Sequence, residues 1–204
     1  MISKTQKISF NFDYRKATQA LNLFAINEGG KINRMKALKL LYFADRYHLR
    51  KYGRLISNDT YFAMDHGPVA SGTKDIAQQT DFIGETERDY STRYLIVEHL
   101  HDVSSKSTYD DKVFSDSDIE ALKFAWEKFG HLDQFQLAKL THKYPEWLKY
   151  ENSLKLNSRI QMDLIDFFDD PSANVDKCFE LTDEDRNIQR EQFEEMLYIE
   201  SLWR

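Results

Sequence analysis

Cys178 is the only cysteine in the 204-residue chain. No intramolecular disulfide can form and no Cys-based zinc site is available, which accords with a reducing cytoplasm. Phosphate-cradling glycine loops of the Gly-x-x-x-x-Gly-Lys-[Ser/Thr] or Gly-x-Gly-x-x-Gly type are missing. So are a Gly-x-Ser-x-Gly elbow and a cysteine nucleophile, so nothing flags covalent hydrolysis. A basic excess is also lacking. Net charge is −6 and pI about 5.5, which argues against nucleic acid as the main partner, because phosphate binding leaves a basic footprint. Lys31, Arg34, Lys36 and Lys39 remain as a local basic cluster. The opening MISKTQKISFNF has no signal-peptide apolar core, and LKLLYFAD is too short to cross a bilayer. Together these absences lead to the expectation of a soluble cytoplasmic protein without a membrane partner.

Aromatics are the abundant class, at 14%, with 14 Phe and 11 Tyr. Such side chains carry large contact areas in cores and at interfaces. ISFNFDY, residues 8–14, alternates as a short strand or extended arm. From Asp13, Ala17, Leu21, Phe24 and Ala25 recur at helical spacing until Gly29-Gly30. Asn33 is placed to cap a second helix ending at Gly53. In that helix Leu38, Leu41, Tyr42, Leu49 and Tyr52 form one stripe, and Leu40, Phe43 and Tyr47 another. Two apolar faces predict a helix at the centre of the fold. TYFAM predicts a strand, with Gly67-Pro68 turning it into a helix from Val69 to about Gln79. Residues 93–114 predict two strands around a Ser-rich turn. Ser117 to Glu120 and Asp133 to Gln136 carry capping-box patterns, IQMDLIDFF predicts a short helix, and Thr182 to Asp185 starts a last, acidic one. The expectation is a mainly α fold, a compact helical domain with a small antiparallel β-sheet or hairpin. Residues 1–155 form the domain and 156–204 a C-terminal helical extension, with 171–177 as the linker-like stretch.

Few residues suggest chemistry. Asp65 and His66 are neighbours, but in a strand they point to opposite faces and cannot easily pair. His99 and His101 share a strand face and could grip a metal ion, yet two ligands lack a third. Asp110-Asp111 and Asp169-Asp170 read as solvated turns. Trp126 to His142 has the outline of a helix-turn-helix, offering Gln134, Gln136, Lys139 and Lys143 to a groove. These patterns leave a DNA-binding regulator and a metal- or His-dependent hydrolase as alternatives to protein binding. No catalytic residue, metal site or cofactor is assigned.

KALKLLYFADRYHLRKYGRLISNDTYFAMDHGPV resembles the signature of the Panacea domain, the SocA-like antitoxin family. Leu40, Leu41, Tyr42, His48, Gly53, Tyr61, Ala63, Gly67, Pro68 and Val69 stand at the motif positions. Leu140, Thr141, His142 and Trp147 match its later Leu-(Ser/Thr)-His and Trp. The resemblance covers roughly residues 15 to 150. It implies a non-enzymatic antitoxin that neutralises a cognate toxin protein by direct contact, with presentation of the toxin to a protease as a second form. Tyr61, His66, His142 and Trp147 flank the motifs and are the candidate partner contacts, while Tyr61 and Trp147 read equally well as core.

Overall fold

The structure, a computed structural model, describes residues 11–98, 101–172 and 177–202. Local signals set the first two helices. The Asp13 carboxylate accepts from the backbone N–H groups of Arg15 and Lys16 and opens α1, Tyr14–Asn27. After a short strand β1, Lys31–Asn33, Asn33 caps α2, Arg34–Tyr52, by accepting from Met35 and Lys36. Gly53 closes α2 at φ +69°, a left-handed conformation natural to glycine.

β2, Tyr61–Met64, and β3, Gly67–Ala70, form an antiparallel hairpin in which Phe62 faces Val69 and Ala63 faces Pro68. This corrects the expected helix from Val69. Pro68 lies in β3, an edge strand that needs no ladder donor at that position, and α3 begins only at Ser71, spanning Ser71–Gln78. β6, Ile160–Gln161, pairs with the other side of β2.

The second sheet has the order β1-β5-β4, with β4 Leu95–Glu98 and β5 Asp102–Ser105. Ser104 and Ser105 therefore stand inside β5, opposite Ile96 and Leu95, and not in the predicted Ser-rich turn. The preceding α4, Glu85–Tyr94, has no apolar stripe that would announce it. α5, Asp116–Phe129, is capped by Ser115 with Asp118, two residues earlier than the predicted capping box. α6, Gln134–Thr141, starts at the expected Asp133. Pro145 opens a short α7, Pro145–Leu148, followed by α8, Glu151–Leu154. The expected helix in IQMDLIDFF is instead β6 at its start and a 3₁₀ segment, Leu164–Phe168, at its end. α9, Asp183–Leu202, completes the order. The arm predicted over residues 8–14 and the linker over 171–177 lie partly outside the described residues, as does His99 of the His99–His101 pair.

α2 is packed by α1, α5, α6, β3 and α9. Its Phe43 stacks on Phe129 at 4.2 Å, and Tyr42 meets Tyr61, Tyr144 and Phe167 edge-on. The aromatic content goes largely into this core. Phe167, Phe168, Phe179 and Phe193, all beyond residue 155, belong to the same buried cluster as Leu21, Leu41 and Leu122. Among the described residues no helix is long and apolar enough to cross a membrane.

Candidate functional site

A helix with apolar residues on two faces leaves little room for a solvent face, so its charged side chains must be buried too. In α2, Lys39, Asp45, Arg46, His48 and Arg50 are each at most 1% exposed. Burying a charge is costly unless it is hydrogen-bonded or neutralised, and each of these groups bonds a neighbouring segment of the chain.

The Lys39 amine donates to the carbonyl oxygen of Pro68 at 2.7 Å, and burial brings its pKa down to about 7. The Asp45 carboxylate accepts from the Ile56 N–H and the Tyr61 hydroxyl, each at 2.7 Å. Burial raises its pKa to about 7, against the pull of those two donors. Arg46 donates through Nε to Glu146 at 2.7 Å, and Tyr42 donates to the same carboxylate oxygen at 2.6 Å. The Arg46 guanidinium also lies over the Tyr144 ring, 4.6 Å from its centre. Arg50 gathers the carbonyls of Phe167, Phe168 and Phe179. His48 bridges the Arg54 carbonyl and the Ser117 hydroxyl. Outside α2, the buried Asp59 carboxylate accepts from the N–H groups of Gly72 and Thr73, serving as a cap for α3.

Two of these contacts reach the β2–β3 hairpin, Lys39 at Pro68 and Asp45 at Tyr61. Lys39 holds the carbonyl of Pro68 on one side of the turn. On the other, the Trp147 indole N–H donates to the carbonyl of Met64 at 3.0 Å. Between the two carbonyls lie Asp65 and His66, both exposed. They sit in the turn itself rather than in a strand, so alternation does not govern them. Gly67 follows at φ +94°, where an added Cβ would collide with the Thr141 hydroxyl and lie 3.1 Å from the Lys39 amine. His142 stacks on Trp147 with ring centres 3.8 Å apart and planes at 11°. Burial lowers the His142 pKa, and the nearby Lys39 and His66 charges push the same way.

Of the four predicted contact residues, His66, His142 and Trp147 lie at the turn, whereas Tyr61 pairs with Ala70 at the far end of the hairpin and its hydroxyl bonds Asp45. His66 is exposed and His142 half-buried, whereas Tyr61 and Trp147 are 1% and 4% exposed. Trp147 supports the turn from beneath, and Tyr61 belongs to the aromatic core with Tyr42 and Phe167. Lys39, Asp45, Arg46 and Glu146 were missed as site residues, although charges interleaved between two apolar stripes of one helix were a legible signal. The predicted basic cluster is not a surface patch: Lys36 pairs with Glu28 at 2.7 Å, Lys39 is buried, and Lys31 pairs with Asp102 at 3.3 Å. Lys39 and Asp45 are buried beneath the hairpin, and what reaches solvent is the Asp65–His66 turn with half-buried His142 beside it.

A family model described as antitoxin SocA-like, Panacea domain, matches residues 38–148. This segment contains all but the first four residues of α2, together with the hairpin, α6 and Trp147. Comparison with curated proteins and with solved structures returns no match.

Proposed function

The chain belongs to the SocA-like antitoxin family defined by the Panacea domain, and from that premise we propose that it neutralises a toxin protein by direct, non-enzymatic contact in the cytoplasm. The observation that carries this reading is the bracketed turn. Inside the matched segment, Lys39 and Trp147 secure the backbone carbonyls on either side of Asp65 and His66. A turn already held in shape loses little freedom on binding, so more of its contact energy remains as affinity. His66 is the proposed contact at the tip, with His142 and Trp147 as its support and Tyr61 in the core at the far end of β2. Covering a toxin's active surface requires an interface of about 1,000 Å² or more, so the turn anchors a larger footprint.

The test is co-expression with the product of the reading frame adjacent to this chain's own. Growth rescue together with co-purification of the two proteins is expected. Rescue without any physical complex would remove the occlusion mechanism, and failure to rescue would remove the antitoxin reading. In the adaptor form of the same reading, the toxin's lifetime shortens when the antitoxin is present. Under simple occlusion it does not.

A further inference from the structure

α9 shows two different faces. Inward, Phe193 is buried against Phe168, and Met196 and Leu197 pack on the core. The two basic residues of this helix are both ion-paired: Arg186 with Asp170, and Arg190 with Asp169 and Glu194, each at 3.3 Å. Outward, Ile188, Ile199 and Leu202 are 43%, 47% and 64% exposed, beside Tyr198 at 64%. Glu184, Glu191 and Glu195 are exposed among them. At about 100° per residue, these seven positions fall within one stripe roughly 100° wide and about 27 Å long, opposite Phe193. An outward face that alternates large apolar side chains with carboxylates is not the uniformly polar surface a solvated helix carries.

We infer that this outward face of α9 docks a basic, partly apolar patch on the toxin and selects which toxin is bound. The inference rests on the antitoxin reading above and adds its specificity element. Charge decides the occupant. Asp183–Leu202 holds seven acidic and two basic residues, so five of the chain's six net negative charges reside in this helix. Both arginines are ion-paired and lie outside the outward stripe, so the charged residues of that stripe, Glu184, Glu191 and Glu195, are all carboxylates. A second copy docking symmetrically would bring Glu191 and Glu195 against like charges. Phosphate-rich nucleic acid and anionic lipid are repelled for the same reason. A cationic protein surface is attracted, and its apolar part covers Ile188, Ile199 and Leu202. α9 also lies beyond the family-matched residues 38–148, so it is free to differ where the hairpin scaffold is shared.

The experiment uses the full chain and two variants, Glu191→Lys/Glu195→Lys and Ile199→Ser/Leu202→Ser. All four positions are exposed, so the variants are expected to melt like the wild type. Binding to the purified product of the adjacent reading frame is measured by calorimetry at low and high salt. Each variant is expected to bind about tenfold or more weakly, with the loss in the lysine pair shrinking at high salt. Wild-type binding with both variants within about twofold would overturn this inference while leaving the antitoxin reading intact. Wild type that neither binds nor rescues would overturn both. Sedimentation is expected to show that Ile199 and Leu202 do not mediate self-association. A dimer lost in the serine variant would assign the face to a second copy and overturn the proposal.

Discussion

Lys39 Nζ lies 2.7 Å from the carbonyl oxygen of Pro68, and the amine is 1% exposed. Its pKa is brought down to about 7 from 10.5 by burial. The unfolded chain therefore binds this proton more readily than the folded one between about pH 7 and 10.5. This contribution to stability is complete above that window and is lost as pH falls through about 7. Lys39→Met is expected to flatten the rise in stability on the alkaline side, which has a slope of the order of 1 kcal/mol per pH unit. At neutral pH it leaves the Pro68 carbonyl without its donor, a cost of about 1–3 kcal/mol. Urea unfolding across that pH range checks both.

Asp45 works in the opposite direction. Its pKa is raised from 3.8 to about 7 by burial. The folded state then holds the proton more tightly, so stability from this group is full below about pH 3.8 and lost as pH rises through about 7. Asp45→Asn keeps an acceptor for the Ile56 N–H and carries no charge. It is expected to remove the decline between those pH values while Asp45→Ala, which strands both Ile56 N–H and the Tyr61 hydroxyl, costs about 2–4 kcal/mol. An unchanged pH profile in Asp45→Asn would contradict this assignment.

Gly67→Ala tests the close approach at the hairpin. Its φ of +94° disfavours any Cβ, and the new methyl would meet the Thr141 hydroxyl. The expected cost is about 2–5 kcal/mol, from backbone strain and overpacking together. In a Thr141→Ala background the packing part is relieved, so the two substitutions should couple by about 1 kcal/mol or more. Equal costs in both backgrounds would place the whole effect in the backbone.

The Arg46–Glu146 pair is fully buried, with Tyr42 as a further donor to the carboxylate. Glu146→Leu alone leaves an arginine charge in the core and is expected to destabilise the fold by about 3–5 kcal/mol. Arg46→Met/Glu146→Leu removes both charges and should recover most of that loss. Chemical denaturation of the two single variants and the double variant gives the coupling, and additive losses would show that the charges act independently.

The sequence made the ends of α2 legible because Asn33 and Gly53 act through contacts within four residues of themselves. Asp133 opened α6 for the same reason. Pro68 misled because a proline after a turn suits either a helix start or an edge strand, and pairing with β2 decides between them. The serines of β5 drew the predicted turn out of place, since turn composition does not show which residues a neighbouring strand will claim. α4 carries ETERDYSTRY with only Ser91 buried, leaving almost no periodic signal to read. At the site, Tyr61 and Trp147 were found through motif position, but their depth was not. Whether an aromatic faces solvent or core depends on what packs over it, here Phe167 on Tyr61 and His142 on Trp147.

The bracketed turn separates contact from support. Asp65 and His66 are exposed, so Asp65→Ala/His66→Ala is expected to leave the unfolding midpoint unchanged and to weaken toxin binding about tenfold or more, with loss of rescue. Trp147→Phe preserves an aromatic partner for His142 but deletes the N–H that holds the Met64 carbonyl. It should therefore cost about 1–2 kcal/mol in stability and loosen the turn, with weaker binding although Trp147 is itself only 4% exposed. If the tip variant binds and rescues like the wild type, the hairpin is scaffold alone and the footprint lies elsewhere. If the tip variant fails and Trp147→Phe binds normally, the turn keeps its shape without the indole hydrogen bond, and its support comes from Lys39 and Gly67.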